Sequence, residues 1–164
     1  MRAMRVLRLI VHARTREPVL LLGEIDGERC VPVFLRPAQA EVIAFGPRAD
    51  GDPPLTQDLI GPIVHGLGRS LEGVEITELR DGVFLADLVF DQDTRIPARP
   101  SDALAVAVRD GLPIAVHEAV LDEVGQPIAE LFPHGGDAPP ADQLREFRQF
   151  IDEVSPEDFG DTAG

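Results

Sequence analysis

The sequence predicts an α+β fold in which a three-strand-plus-helices unit is used twice, giving a mixed sheet with packed helices, followed by a C-terminal amphipathic helix. Three observations predict it. Strand-like apolar runs come in two groups of three, an Asp-Gly turn signal punctuates each group, and each group leads into Arg-Pro and an apolar helical stretch. Displacing the chain by 63 residues lays Arg36-Pro37 on Arg99-Pro100, Ala40 on Ala103 and Ala44 on Ala107. Together with the matching order of elements, these identities point to a duplicated unit.

In the first unit, residues 6–11 and 18–24 are apolar and β-branched, Asp26-Gly27 makes a turn, and residues 29–35 form a third strand. Arg36-Pro37 then opens a helix over 38–45 with Ala40, Ile43 and Ala44 at helical spacing, which Gly46 ends. Residues 47–54, rich in Pro, Asp and Gly, read as a loop. A helix is predicted from Thr56, with Leu59, Ile60, Ile63, Val64 and Leu67 on one side. Pro62 lies too deep for a straight helix starting there, so a kink or a later start is expected.

The second unit repeats the plan. Strands at 74–79 and 83–90 flank Asp81-Gly82, Asp91-Gln92-Asp93 makes the next turn, and residues 94–98 form a short strand. Pro100 keeps Arg99 extended, Ser101 is the predicted N-cap, and Asp102 faces the positive end of the helix dipole. Ala103, Leu104, Ala107 and Val108 make the apolar stripe of this helix, and Gly111 and Pro113 mark its end. A strand at 114–117 and a short helix at 119–124 follow. The predicted organisation is a domain over 1–132, a Pro/Gly linker over 133–141, and a C-terminal helix with an acidic tail over 142–164. Leu144, Phe147, Phe150, Ile151 and Val154 share one face of that last helix, which is also a candidate docking element for a partner.

Composition narrows the function classes. A net charge of -14 argues against a broad nucleic-acid-binding surface, although a local Arg-lined groove stays open. The charge is uneven: residues 134–164 carry eight acidic residues against Arg145 and Arg148. With one cysteine, Cys30, there is no internal disulfide and no Cys-based metal site, and its apolar neighbours predict a buried structural thiol. The four histidines (His12, His65, His117 and His134) are scattered, which disfavours a histidine metal centre. No apolar run approaches the roughly 18 residues of a membrane span, and the Met-Arg-Ala-Met-Arg start lacks a signal-peptide core. A cytoplasmic protein without membrane association is therefore expected.

The chain has no Gly-rich phosphate loop, no Gly-x-Ser-x-Gly elbow and no His-Glu-x-x-His. Asp91-x-Asp93 lacks the glycine and distal glutamate of a calcium loop and reads as a plain turn. Arg99, Ser101 and Asp102 admit two readings. One is a helix cap with an Arg–Asp pair at the corner between strand and helix. The other is an anion site at a helix N-terminus, with Arg99 on a phosphate and Asp102 on a metal or a water.

Three strings carry a family resemblance: Arg-Pro-Ser-Asp-Ala-Leu-Ala-Val-Ala-Val-Arg at 99–109, Pro-Leu-Thr-Gln-Asp-Leu-Ile at 54–60 and Asp-Gly-Val-Phe-Leu-Ala-Asp-Leu at 81–88. Over residues 4–132 the chain resembles the bifunctional nuclease domain family, and the segment 147–159 resembles the tail of members from bacteria with GC-rich genomes. The resemblance implies a duplicated α+β unit, a homodimer, and a groove that cleaves phosphodiesters of DNA and RNA. It carries Arg99, Ser101, Asp102 and Asp58 over as candidate catalytic positions. Arg99 and Arg36, with Gln57 and Gln39, are the candidate substrate contacts, and Asp102 is the candidate ligand for Mg2+ or Mn2+, since only hard oxygen ligands are offered. The chain departs from the family's pattern at Gln39, Gln57 and Leu85, where Glu, His and Tyr are usual. Each departure removes a group that titrates, ligates or donates. The rival expectation is therefore a weak or silent dimeric module that binds an anionic ligand or a protein.

Overall fold

The computed structural model describes residues 1–12 and 14–131; the predicted linker, C-terminal helix and acidic tail lie outside the described residues. The described residues form eight strands and five α-helices. Strands β1 (Arg2–Val11), β2 (Pro18–Glu24) and β3 (Arg29–Phe34) precede α1 (Pro37–Ala44), a 3-10 turn (Gln57–Leu59) and α2 (Ile60–Gly66). Strands β4 (Leu71–Arg80), β5 (Val83–Phe90) and β6 (Thr94–Ala98) precede α3 (Pro100–Asp110), β7 (Ile114–Val116) and α4 (Glu118–Val124). The two-residue β8 (Gln126–Pro127) and α5 (Ile128–Leu131), neither foreseen in the sequence, close the described chain.

One sheet takes all eight strands in the order β6-β5-β4-β7-β1-β2-β3-β8. Each unit's three strands run outward from the middle, so the two units sit on either side of β7. β7 is parallel to β4 and antiparallel to β1, whose first residues Arg2, Ala3 and Met4 pair with Val116, Ala115 and Ile114. That pairing explains why β1 begins four residues earlier than its apolar run. β2 is buried along its whole length, which is why it reads as a continuous apolar run rather than an alternating one.

Helices α1 and α3 pack against each other beside the sheet. Their buried residues include Ala40, Ile43 and Ala44 on α1 and Ala103, Leu104 and Ala107 on α3, and the small side chains permit close approach. Leu20, Leu22, Val31, Val33, Val74 and Ile76 complete the core from the sheet. Each such side chain withdrawn from water contributes about 1.5–3 kcal/mol of gross stabilisation.

The turn chemistry is specific. Asp81 and Gly82 both take positive φ, the two-residue turn that matches strand twist between β4 and β5. Gln92 and Asp93 do the same between β5 and β6, where Arg69 donates to the Asp91 side chain and carbonyl and to Thr94 Oγ1. Gly27 is needed for space: an added Cβ would meet Glu24 Oε2 at 2.3 Å.

One local expectation needs correction. Arg99, not Ser101, is the N-cap of α3, with extended backbone (φ -66, ψ 138) and Pro100 as the first helical residue. Proline suits that place because its missing N–H has no intrahelical acceptor there. After Thr56 the later start expected from Pro62 is observed: a 3-10 turn comes first, and α2 starts at Ile60, which places Pro62 in the first turn. No residue of α2 is buried, and Leu59, Ile63 and Leu67 face outward.

Candidate active site

The β-to-helix corner at Arg99 builds the site. β6 delivers Arg99 in extended conformation, Pro100 starts α3, and Asp102 falls in its first turn. Arg99 Nε donates to Asp102 Oδ2 at 2.6 Å, and both side chains reach solvent, 61% and 35% exposed. From α1, Gln39 Nε2 donates to the other carboxylate oxygen, Asp102 Oδ1, at 2.8 Å. Both carboxylate oxygens thus have a donor, one from each unit of the fold. Gln39 Oε1 is buried and has no partner. Arg36 caps α1 as Arg99 caps α3, with φ -77 and ψ 147 and an exposed side chain. Ser101 is buried behind this corner, 7% exposed.

The other predicted acid lies elsewhere. Asp58 is buried in the 3-10 turn and receives Arg109 Nε at 2.7 Å, Arg109 Nη2 at 2.7 Å and the Leu55 N–H at 2.8 Å. Arg109 Nη1 also donates to the Gly46 carbonyl at 3.1 Å, so the pair ties the 3-10 turn, the end of α1 and the last turn of α3 together. The Arg109 guanidinium holds the Asp58 carboxyl below the usual carboxylate range, although burial works against it. Burial and the nearby Asp58 charge push the Asp110 carboxyl up. Asp102 and Arg109 are seven residues apart on α3, about 10 Å along its axis. The structure therefore brings Arg99, Asp102 and Gln39 together and does not bring Asp58 to them. Gln57, half-buried, opens the 3-10 turn on the Asp58 side.

The donor set permits a hard divalent cation only in part. Asp102 and the partnerless Gln39 Oε1 are oxygen ligands of the right kind, but no three His, Cys, Asp or Glu side chains gather as a metal site among the described residues. Mg2+ commonly binds through one or two carboxylates plus substrate phosphates and waters, and the residues fit that sparse mode.

A second charged cluster had no signal in the sequence. Buried Glu24 receives Arg29 Nη2 at 2.9 Å, and Arg29 also bonds Glu118 and Asp122. Arg2 adds a bond to Glu118 at 2.6 Å, and the two arginines hold the Glu118 carboxyl at about 2. All its acids face arginines, which reads as a clamp between the N-terminal strands and α4.

The sequence profile of the bifunctional nuclease domain matches residues 20–129. Uncharacterized proteins from two strains of Mycobacterium tuberculosis are each 41% identical over 161 residues, covering 94% of this chain and 96% of the relative. Arg36, Gln39, Asp58 and the whole Arg99 corner lie inside the matched segment.

Proposed function

Because the chain belongs to the bifunctional nuclease domain family, we propose that it hydrolyses phosphodiester bonds of DNA and RNA at the corner where α3 begins. The observation that supports this reading is the Arg99–Asp102–Gln39 constellation: an exposed guanidinium beside a carboxylate, at the N-terminal end of an eleven-residue helix. Arg99 uses its Nε on Asp102, which leaves its Nη groups for a phosphate, and Arg36 offers a second guanidinium from the matching corner of α1. The positive end of the α3 dipole favours the same anion. Asp102 then takes a proton from, or orients, the attacking water on its exposed side.

Mg2+ or Mn2+, held by Asp102 and Gln39 Oε1, would neutralise phosphate charge and acidify water when bound. Within this proposal Ser101 and Asp58 act from behind. Ser101 lies under the corner, and Asp58 fixes α3 through Arg109. Gln57 contacts the strand on the Asp58 side. The protein works as a homodimer in the cytoplasm; no helix among the described residues is long and apolar enough to cross a membrane.

The experiment is cleavage of labelled single- and double-stranded DNA and RNA, with Mg2+, Mn2+ or chelator, beside Asp102→Ala purified identically. Metal-dependent cleavage lost in the variant supports the reading. Equal traces in both proteins, or no cleavage from folded dimer, would overturn it. A second reading, a silent module that binds an anion or a protein, is favoured by one observation: both Asp102 oxygens already have donors, one of them the neutral Gln39 amide. It predicts tight oligonucleotide or peptide binding without turnover, and cleavage gained in Gln39→Glu with Gln57→His.

A further inference from the structure

Residues related by the internal duplication meet twice where α1 packs on α3. Gln39 and Asp102, 63 positions apart, are joined at 2.8 Å, and Gly46 and Arg109, also 63 apart, at 3.1 Å. Gln39 and Asp102 hold the same place in their helices, three residues after an extended Arg cap and two after a proline. A position where equivalent residues face each other is one where like side chains would collide in charge. Two carboxylates at this distance do not both ionise without a proton or a cation between them.

In this chain the conflict is absent because one mate is an amide. Gln39 Nε2 presents a partial positive charge to Asp102 Oδ1. Its other atom, Oε1, is left buried and without a donor, an arrangement that costs free energy unless something electropositive reaches it. We propose that Gln39 sets the cation demand of the site. Its N–H meets Asp102 Oδ1 where a second carboxylate would call for positive charge beyond that of Arg99, so the Arg99–Asp102–Gln39 cluster is held together by its own side chains. A cation is then recruited only in company with a phosphate, which supplies the missing oxygen ligands. A carboxylate at position 39 would instead hold the ion by protein atoms alone.

This inference rests on reading the α3 corner as the functional site, and its test needs no cleavage. Mn2+ alone is titrated into the full chain and the free ion followed by its electron paramagnetic resonance signal, for the native protein, Gln39→Glu, and Gln39→Glu with Asp102→Asn. Native protein should bind Mn2+ weakly, Gln39→Glu at least about ten-fold more tightly, as expected for a second hard anionic ligand, and the double variant should lose the gain. Equal affinity of native protein and Gln39→Glu would overturn the proposal, as would a gain that survives Asp102→Asn. A Gln39→Glu chain that folds only with Mn2+ present supports it. One that folds under neither condition shows that the pair cannot take a second carboxylate and overturns it. A protein that cleaves nothing but shows the Mn2+ gain would refute the hydrolytic reading alone.

Discussion

The two ends of α3 carry the same chemistry and put it to opposite uses. At the start, Arg99 and Asp102 pair in partial exposure, with 61% and 35% of their side chains open to solvent. At the end, Arg109 and Asp58 pair at 4% and 0%. Both contacts are short, 2.6 and 2.7 Å, so distance does not separate them. Access does. The buried pair has lost its water and gained two guanidinium contacts plus a backbone N–H, which makes it a strut. The exposed pair keeps donors and a carboxylate edge that a ligand can reach. An Arg–Asp pair is thus informative about function only together with its exposure.

The sharpest way to break this comparison is at the buried end. Asp58→Ala leaves Arg109 charged, buried and without its main partner, and should cost about 3–5 kcal/mol in urea unfolding. A loss below about 1 kcal/mol, the range of exposed pairs, would show that the strut assignment is wrong. At the exposed end Asp102→Ala should change stability by no more than about 1 kcal/mol, yet lower cleavage about 100-fold or more if the carboxylate handles the attacking water. The same melting and cleavage assays on both variants give the contrast directly.

Acid titration sharpens it further. The folded-state carboxyl of Asp58 lies below its ordinary 3.8, so its contribution is fully present above that value and is lost as pH falls through the lower, folded value. Unfolding free energy followed downward from pH 5 should fall in the native protein, and Asp58→Asn should remove part of that slope. An unchanged slope would place the acid sensitivity elsewhere, with Glu118 the first group to examine. An effect confined to stability is expected at Gly111, which ends α3 with φ 65. Gly111→Ala forces a Cβ into the left-handed region and should cost about 1–2 kcal/mol by thermal melting, with cleavage unchanged.

Much of the frame was legible because it is local. Apolar, β-branched runs, Asp-Gly turns and the Arg-Pro helix starts located β1 to β7, α1 and α3, and the 63-residue displacement matched the observed halves. Legibility failed where partners are distant in sequence. Asp58 was a candidate catalytic position and its role as a buried strut was not legible, because nothing nearby announces Arg109, 51 residues on. Glu24 gave no signal because its network runs to Glu118 through Arg29. The N-cap slipped from Ser101 to Arg99 because proline at the first helical position outweighs side-chain capping preference. The Gln39–Asp102 contact was present in the repeat itself: the displacement that aligns the two Arg-Pro pairs also lays Gln39 on Asp102. What the repeat lacks is the knowledge that the two copies turn these positions toward each other.

β7 has a consequence for how the chain is made. It lies between the two units and pairs Met4 with Ile114, so the sheet's middle closes only after residue 116 has left the ribosome. At about 5–20 residues per second, the first strand waits on the order of ten seconds with one edge uncovered. During that interval β1 can pair with β2 alone, and its other edge is open to nascent or neighbouring chains. Arg2, Arg5 and Arg8 stud this strand with like charge, which discourages a second copy from pairing there before β7 arrives.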